Sequence, residues 1–149
     1  EQIPFRSIDV SLYGVSANDT LAEVSQSFQD PRGSNWYMIN VDKVERDDLI
    51  EDIINPRSFT KLMDDSDFDG ELYSDSFRVF PRNYYRGDTV AVFLSNISKE
   101  YYDFMKLRED NRFSFVEYLG EPVNYPSNVE GGLGFFNLYI PDIRVFVLE

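Results

Sequence analysis

The chain has 149 residues, with 14 Lys and Arg against 27 Asp and Glu, so its formal net charge is −13, and it contains neither His nor Cys. These two absences exclude thiolate nucleophiles, disulfides, imidazole bases, zinc ribbons and iron–sulfur clusters. The negative charge disfavours binding to nucleic acids and to anionic lipid surfaces, both of which attract Lys and Arg.

Hydrophobic residues still make up 42% of the chain, which is enough for a packed core. Most segments alternate apolar and polar residues with period two, as half-buried strands do. The apolar positions that share a strand face fall into five groups: Ile8, Val10 and Leu12; Ala22, Val24 and Phe28; Tyr37, Ile39 and Val41; Phe77 and Val79; Val90, Val92 and Leu94. Residues 142–148 form the last predicted strand, and apolar residues on both of its faces predict a central or covered position.

Residues 21–30 and 35–44 are joined by Asp30-Pro31-Arg32-Gly33, which suits a type I turn. Asp accepts a hydrogen bond at the first position, Pro presets φ at the second, and Gly closes the turn. We therefore predict that the two segments pair with each other as a β-hairpin.

Two segments depart from the strand pattern. Residues 45–55 are ambiguous but fit a short helix that Pro56 would end. A longer helix is predicted over about residues 98–119, with Ser98 as its N-cap and Gly120 as its stop. About six strands with one good helix predict a mainly β fold: a single domain over residues 1–149, built as an antiparallel β-sandwich or barrel-like sheet with one packed α-helix.

One acidic stretch, Asp65-Ser66-Asp67-Phe68-Asp69-Gly70, matches the first half of a calcium-binding loop. The twelfth position, which should supply a bidentate Glu, is Ser76, and a strand rather than a helix follows. We favour an acidic hairpin turn with solvated carboxylates and assign no metal site. Calcium binding by Asp65, Asp67 and Asp69 stays open.

A second stretch, residues 122–136, is rich in Gly and Pro but lacks the pattern of a phosphate-binding loop. Phe135 and Phe136 are adjacent, so both cannot easily face inward from a strand, and one interpretation is a docking surface. Aromatic pairs here and at residues 84–85 and 101–102 could stack on sugars, although the core and rim of a sandwich use such pairs more often. No pair of carboxylates stands out as a catalytic acid and base, so an enzyme is not predicted.

Four stretches, in the same order along the chain, resemble the signatures of domain-of-unknown-function family 4249. They are residues 28–37 (FQDPRGSNWY), residues 67–71 (DFDGE), residues 87–90 with 94–102, and residues 121–123 with 127–136 (SNVEGGLGFF). The last stretch is the most specific. Family members usually also have an immunoglobulin-like N-terminal region and a lipidated Cys, neither of which is in this sequence. The resemblance therefore implies the C-terminal part of such a protein, or an unusually short relative.

The family consists of outer-membrane lipoproteins of Bacteroidota that are often encoded beside TonB-dependent receptors, and no catalytic residues are established for it. The resemblance thus implies a non-enzymatic accessory domain at the outer membrane, cell surface or periplasm, lipid-anchored outside this chain and without a cofactor. Its partner would be a TonB-dependent transporter or the transporter's ligand. The predicted partner-binding residues are Asn128, Gly131, Gly132, Gly134, Phe135 and Phe136. The alternative function is a carbohydrate- or calcium-dependent binding or adhesion domain.

Overall fold

The computed structural model describes residues 2–16, 19–44, 59–79, 84–111, 125–131 and 135–149. These residues form seven strands and one helix, in the order β1 (Phe5–Ser16), β2 (Asp19–Gln29), β3 (Trp36–Val44), β4 (Phe59–Asp64), β5 (Leu72–Val79), β6 (Thr89–Ile97), α1 (Lys99–Asn111) and β7 (Asp142–Val147). The short helix predicted over residues 45–55, and the part of the longer predicted helix beyond Asn111, lie outside the described residues.

The strands form two antiparallel sheets. Sheet A has the order β1-β2-β5, and sheet B has the order β4-β3-β6-β7. The two sheets face each other across one core, so the predicted sandwich with a packed helix is confirmed. The strands of the described residues do not close into a barrel.

The core lies between the inner faces that the alternation pattern predicts. Val24 of sheet A and Leu94 of sheet B are both fully buried, and Phe59 of β4 stacks on Phe77 of β5 with ring centroids 5.3 Å apart. Burying each large apolar side chain of this kind stabilises the fold by roughly 1.5–3 kcal/mol. The two inner faces therefore hold the sheets together.

The predicted β-hairpin between residues 21–30 and 35–44 is wrong, although both segments are strands. β2 pairs with β1 and β5, whereas β3 pairs with β4 and β6. The connection steps from one sheet to the other because Asp30 bonds across to a different segment. Its N–H donates to the carbonyl of Glu71 (3.0 Å), and its carboxylate accepts from the N–H of Gly70 (2.7 Å).

The predicted central or covered position of the last strand is also wrong. β7 lies at the end of sheet B, where it pairs with β6. Its inner face contributes Phe146 to the core, but its outer face carries Ile143, Val145 and Val147, which are 49%, 62% and 64% exposed. The apolar pattern on that outer face therefore does not reflect burial.

Helix α1 packs on the outer face of sheet B, beside β3 and β4. The predicted N-cap is confirmed, since the Ser98 hydroxyl accepts from the N–H of Tyr101 (3.2 Å). Tyr102 and Met105 of the helix form a second, smaller core with Met38 and Ile97. Within the described part of the chain, the search for helices long and apolar enough to cross a bilayer found none.

Candidate functional site

In the described part of the loop that the sequence singled out for docking, the side chain of Asn128 bonds the backbone of Phe136. Its Nδ2 donates to the carbonyl of Phe136 (2.6 Å), and its Oδ1 accepts from the N–H of Phe136 (2.7 Å). The amide thus bonds both backbone groups of Phe136, as a neighbouring strand would. Asn128 therefore fixes the position of Phe136 and is itself exposed to solvent.

The two adjacent phenylalanines point to different sides, as the sequence predicted. The Phe135 ring is half-buried and packs on helix α1, with its centroid 5.1 Å from that of Phe104 and 5.7 Å from that of Tyr101. Phe136 is 72% exposed. Phe135 anchors the segment to the helix, and Phe136 is left available for contact.

Among the glycines of the predicted site, Gly131 is exposed and has a φ of 74°, in the left-handed region that glycine adopts without strain. Gly132 and Gly134 lie outside the described residues. The structure thus brings together Asn128 and the two phenylalanines, and it places Gly131 in a turn three residues after Asn128.

Exposed apolar side chains continue from Phe136 to the end of β7. We call this set the apolar row: Phe136, Leu138, Ile140, Ile143, Val145 and Val147. Each member is between 49% and 85% exposed. A single exposed apolar side chain is ordinary, but such a succession along two neighbouring segments is a common property of contact surfaces. Sequence reasoning singled out Phe136 but missed the other five members. In residues 142–148 it took apolar residues on both faces as a sign of burial.

A separate polar cluster lies where the chain twice steps between the sheets. The two connections, residues 30–35 and 65–71, are called here the paired crossovers. Gly33 donates its N–H to Asp69 Oδ1 (2.8 Å), and Asn35 donates its N–H to Asp65 Oδ2 (2.7 Å). Together with the bonds of Asp30, these contacts tie the two connections to each other.

The paired crossovers bring three carboxylates together. Oxygens of Asp30, Asp65 and Asp69 lie within 4.8 Å of one another. Asp30 and Asp65 are 2% and 6% exposed. The expectation that the carboxylates of residues 65–70 are solvated is therefore wrong for Asp65, whereas Asp69 is exposed. Each of the three accepts a backbone N–H bond, which gives the cluster a role in holding the turns.

The carboxylates that could bind calcium in this structure differ from those that the sequence suggested. Asp67 is exposed and is not part of the cluster, whereas Asp30 from the other crossover is. Calcium would therefore meet Asp30, Asp65 and Asp69 rather than three alternate residues of one loop. Since each of these carboxylates already accepts an N–H bond, their proximity has a structural explanation, and calcium binding stays an open alternative.

Beneath the paired crossovers, Tyr37 donates its hydroxyl hydrogen to Asp30 Oδ1. Burial, together with the hydrogen bond and the charge of Asp30, raises the pKa of Tyr37 far above its ordinary value of 10.0. Tyr37 therefore remains a neutral donor at any physiological pH.

The sequence was compared with family models, and one of them covers almost the whole chain. The model described as "Domain of unknown function (DUF4249)" matches residues 1–141. The chain belongs to the DUF4249 family. Comparisons with curated proteins and with solved structures found no significant match.

The DUF4249 signatures now have positions in the fold. Residues 28–37 contain the first crossover and residues 67–71 contain most of the second, so two separate signatures meet in one hydrogen-bonded cluster. The specific C-terminal signature contains both Asn128 and Phe136, whose two hydrogen bonds are called here the Asn128–Phe136 clasp. At both places, part of a DUF4249 signature is explained by local structure.

Proposed function

We propose that this DUF4249 chain is a non-enzymatic binding domain of the cell envelope that docks onto a partner through the apolar row. The observation that supports docking is the row itself, from Phe136 to Val147, exposed along two neighbouring segments. Covering apolar surface yields about 25 cal/mol for each Å² removed from water, which favours a partner on this face.

The predicted partner-binding residues fit this function as supports of the row. Asn128 bonds the backbone of Phe136, and Phe135 packs on α1 on the other side, so Phe136 is presented in a fixed position. Holding the contact residue rigid lowers the entropy that docking would otherwise lose. In this proposal Gly131, with its φ of 74°, serves the turn of the backbone rather than the contact itself.

The proposed partner is a TonB-dependent outer-membrane transporter or its ligand. This assignment rests on the resemblance of the family and not on geometry. The net charge of −13 adds one physical requirement, because the partner surface around the row should be neutral or basic. It also disfavours pairing of two copies of this acidic chain.

Crosslinking in intact envelopes tests the proposal. The bait is the chain attached to its native anchor, and the variants are Leu138→Ser and Val145→Ser in the row. Leu72→Ser is the control, since Leu72 is 48% exposed at the edge of sheet A, outside the row. We expect the wild type and the control to crosslink to a TonB-dependent barrel, and the row variants to lose that product. Equal crosslinking by all four proteins, or products without a barrel, would contradict the proposal.

A further inference from the structure

A groove lies on the outer face of sheet B, alongside helix α1, and has a volume of about 280 Å³. Its apolar lining consists of Met38 and Met105, which are buried, and Phe93, which is half-buried. Tyr101 and Tyr139 add two aromatic rings, with centroids 5.9 Å apart and planes inclined by 30°. The groove thus offers apolar and aromatic surface to one face of a small ligand.

Polar side chains line the same groove. Asn40 and Thr60 are cross-strand neighbours, and Asn40 Nδ2 donates to Thr60 Oγ1 (3.0 Å), which orients the amide. Asp42 lies two residues further along β3, while α1 contributes Arg108 and Glu109. Amide and guanidinium groups donate hydrogen bonds, and the amide and carboxylate oxygens accept them. The lining therefore combines donors and acceptors.

This combination decides between classes of ligand. An amine offers only donors and a phosphate mainly acceptors, whereas each hydroxyl of a sugar both donates and accepts. The side-chain charges of the groove nearly cancel, with one Arg against one Asp and one Glu. Sugar rings also have apolar C–H faces that pack on aromatic side chains. Burial, and next the neighbouring Tyr101, raise the pKa of Tyr139, so its hydroxyl stays neutral and can take part in hydrogen bonding.

We propose that this groove binds one ring of an uncharged saccharide, with its hydroxyls on Asn40, Thr60 and Arg108 and a ring face on the tyrosines. Ligand pockets for drug-sized molecules begin at about 300 Å³, so the groove has the size for one ring, and the rest of a glycan extends into solvent. The inference is independent of docking through the apolar row. The sequence analysis gave carbohydrate binding as an alternative function, and the groove is the place where such binding would occur.

The test is a titration of the ¹⁵N-labelled chain with methyl glucoside, methyl galactoside, N-acetylglucosamine and maltotriose, followed by NMR. We expect at least one of them to shift the amides of Asn40, Thr60 and Glu109 in a saturable way. Thr60→Val and Arg108→Ala should each weaken binding about tenfold, the loss of one hydrogen bond. Glu100→Ala is the control on the same helix, since Glu100 is exposed and outside the groove, and it should bind like the wild type.

Two further probes make the result decisive. Putrescine and inorganic phosphate represent the amine and anion classes, and binding of either in the groove in preference to every saccharide overturns the proposal. It is equally overturned if no saccharide shifts the groove amides, or if Thr60→Val and Arg108→Ala bind as the wild type does. Val145→Ser should leave saccharide binding intact, so failure of the docking proposal and failure of this one are distinguishable.

Discussion

Asp30, the first residue of the connection from sheet A to sheet B, accepts a hydrogen bond from Tyr37, the second residue of β3, and both side chains are buried beneath the paired crossovers. The other oxygen of Asp30 accepts the N–H of Gly70 from the second crossover. One carboxylate therefore links the core, the first crossover and the second. Removing the Asp30 carboxylate should therefore disturb the core and both crossovers.

Asp30→Asn should lower the free energy of unfolding by about 1–3 kcal/mol, because the new amide replaces one acceptor oxygen with a donor in a buried position. Urea denaturation followed by tryptophan fluorescence measures the change. The control is Asp67→Asn in the same acidic turn, which is exposed and should alter stability by no more than about 0.5 kcal/mol. A similar effect of both substitutions would contradict the assigned role of Asp30.

Tyr37→Phe should lower stability at neutral pH by about 1–3 kcal/mol, since Asp30 Oδ1 loses its donor. At alkaline pH the difference should shrink. The raised pKa of Tyr37 means that the folded chain keeps a proton which the unfolded chain releases above pH 10.0, so the contribution of Tyr37 is present below that pH and declines above it.

Urea denaturation of the wild type and Tyr37→Phe between neutral pH and about pH 11 measures this pH dependence. Above pH 10.0 the free energy of unfolding of the wild type should fall by up to about 1.4 kcal/mol more per pH unit than that of Tyr37→Phe. Tyr85→Phe is the matched control, because Tyr85 is 52% exposed. Tyr73, whose pKa is raised to about 12 by burial and then by Asp75, remains in all three proteins and cancels in the comparison. Parallel curves for wild type and Tyr37→Phe would exclude the assignment.

Lys61 of β4 and Asp75 of β5 form an ion pair between the two sheets, and the Lys61 ammonium also lies 4.9 Å from the centroid of Phe77. Burial on its own would raise the pKa of Asp75, but the hydrogen bond and charge of Lys61, together with hydrogen bonds from the Ser76 backbone and the Tyr73 hydroxyl, outweigh burial and hold the pKa below 3.8. A lowered pKa contributes stability above 3.8 that is lost as the pH falls through the folded-state value.

A double-mutant cycle with Lys61→Met and Asp75→Asn should give a coupling of about 1 kcal/mol at neutral pH, since both side chains are partly exposed. The coupling should decline as the pH falls below 3.8 and through the lowered folded-state pKa of Asp75, where the carboxyl becomes protonated. Lys99 and Asp103, an exposed pair on α1, provide the comparison cycle and should couple more weakly. Coupling that is unchanged in acid would rule out an ionic origin.

Asn128→Ala should accelerate hydrogen exchange at the amide of Phe136, because that N–H loses its acceptor. Asn128→Asp is the informative partner variant. It keeps the acceptor for the Phe136 N–H but loses the donor to the Phe136 carbonyl, so protection of this amide should largely remain. Amide-resolved exchange by NMR makes the measurement, and unchanged exchange in Asn128→Ala would mean that the clasp does not form in solution.

The strand faces were predictable from the sequence because each depends on local alternation. Val24 and Leu94 lie where that pattern placed them. Which strands pair with each other was not predictable in the same way. A turn sequence such as residues 30–33 reverses the chain equally well within a sheet or between sheets, and the bond from Gly70 to Asp30 that decides the matter joins positions far apart in sequence.

The two candidate sites also differ in whether their residues lie close together in the sequence. Asn128 and Phe136 are eight residues apart within one signature, so the family resemblance was enough to find them. The groove draws Asn40 from β3, Thr60 from β4 and Arg108 from α1. Each of these looks like an ordinary polar surface position in its own segment. Only the sheet order and the helix position bring them together, and neither can be read from local periodicity.

The strands enter the two sheets in the chain order A, A, B, B, A, B, B. β3, in the interior of sheet B, thus acquires its second neighbour only when β6 has been made, as the pairing of Trp36 with Ile97 illustrates. A nascent polypeptide that ends before β6 has no partner for one whole edge of β3. Because non-local strand pairing slows folding, we expect a folding time in the range of about milliseconds to seconds. We also expect β3 to be paired on both edges only after β6 has been synthesised.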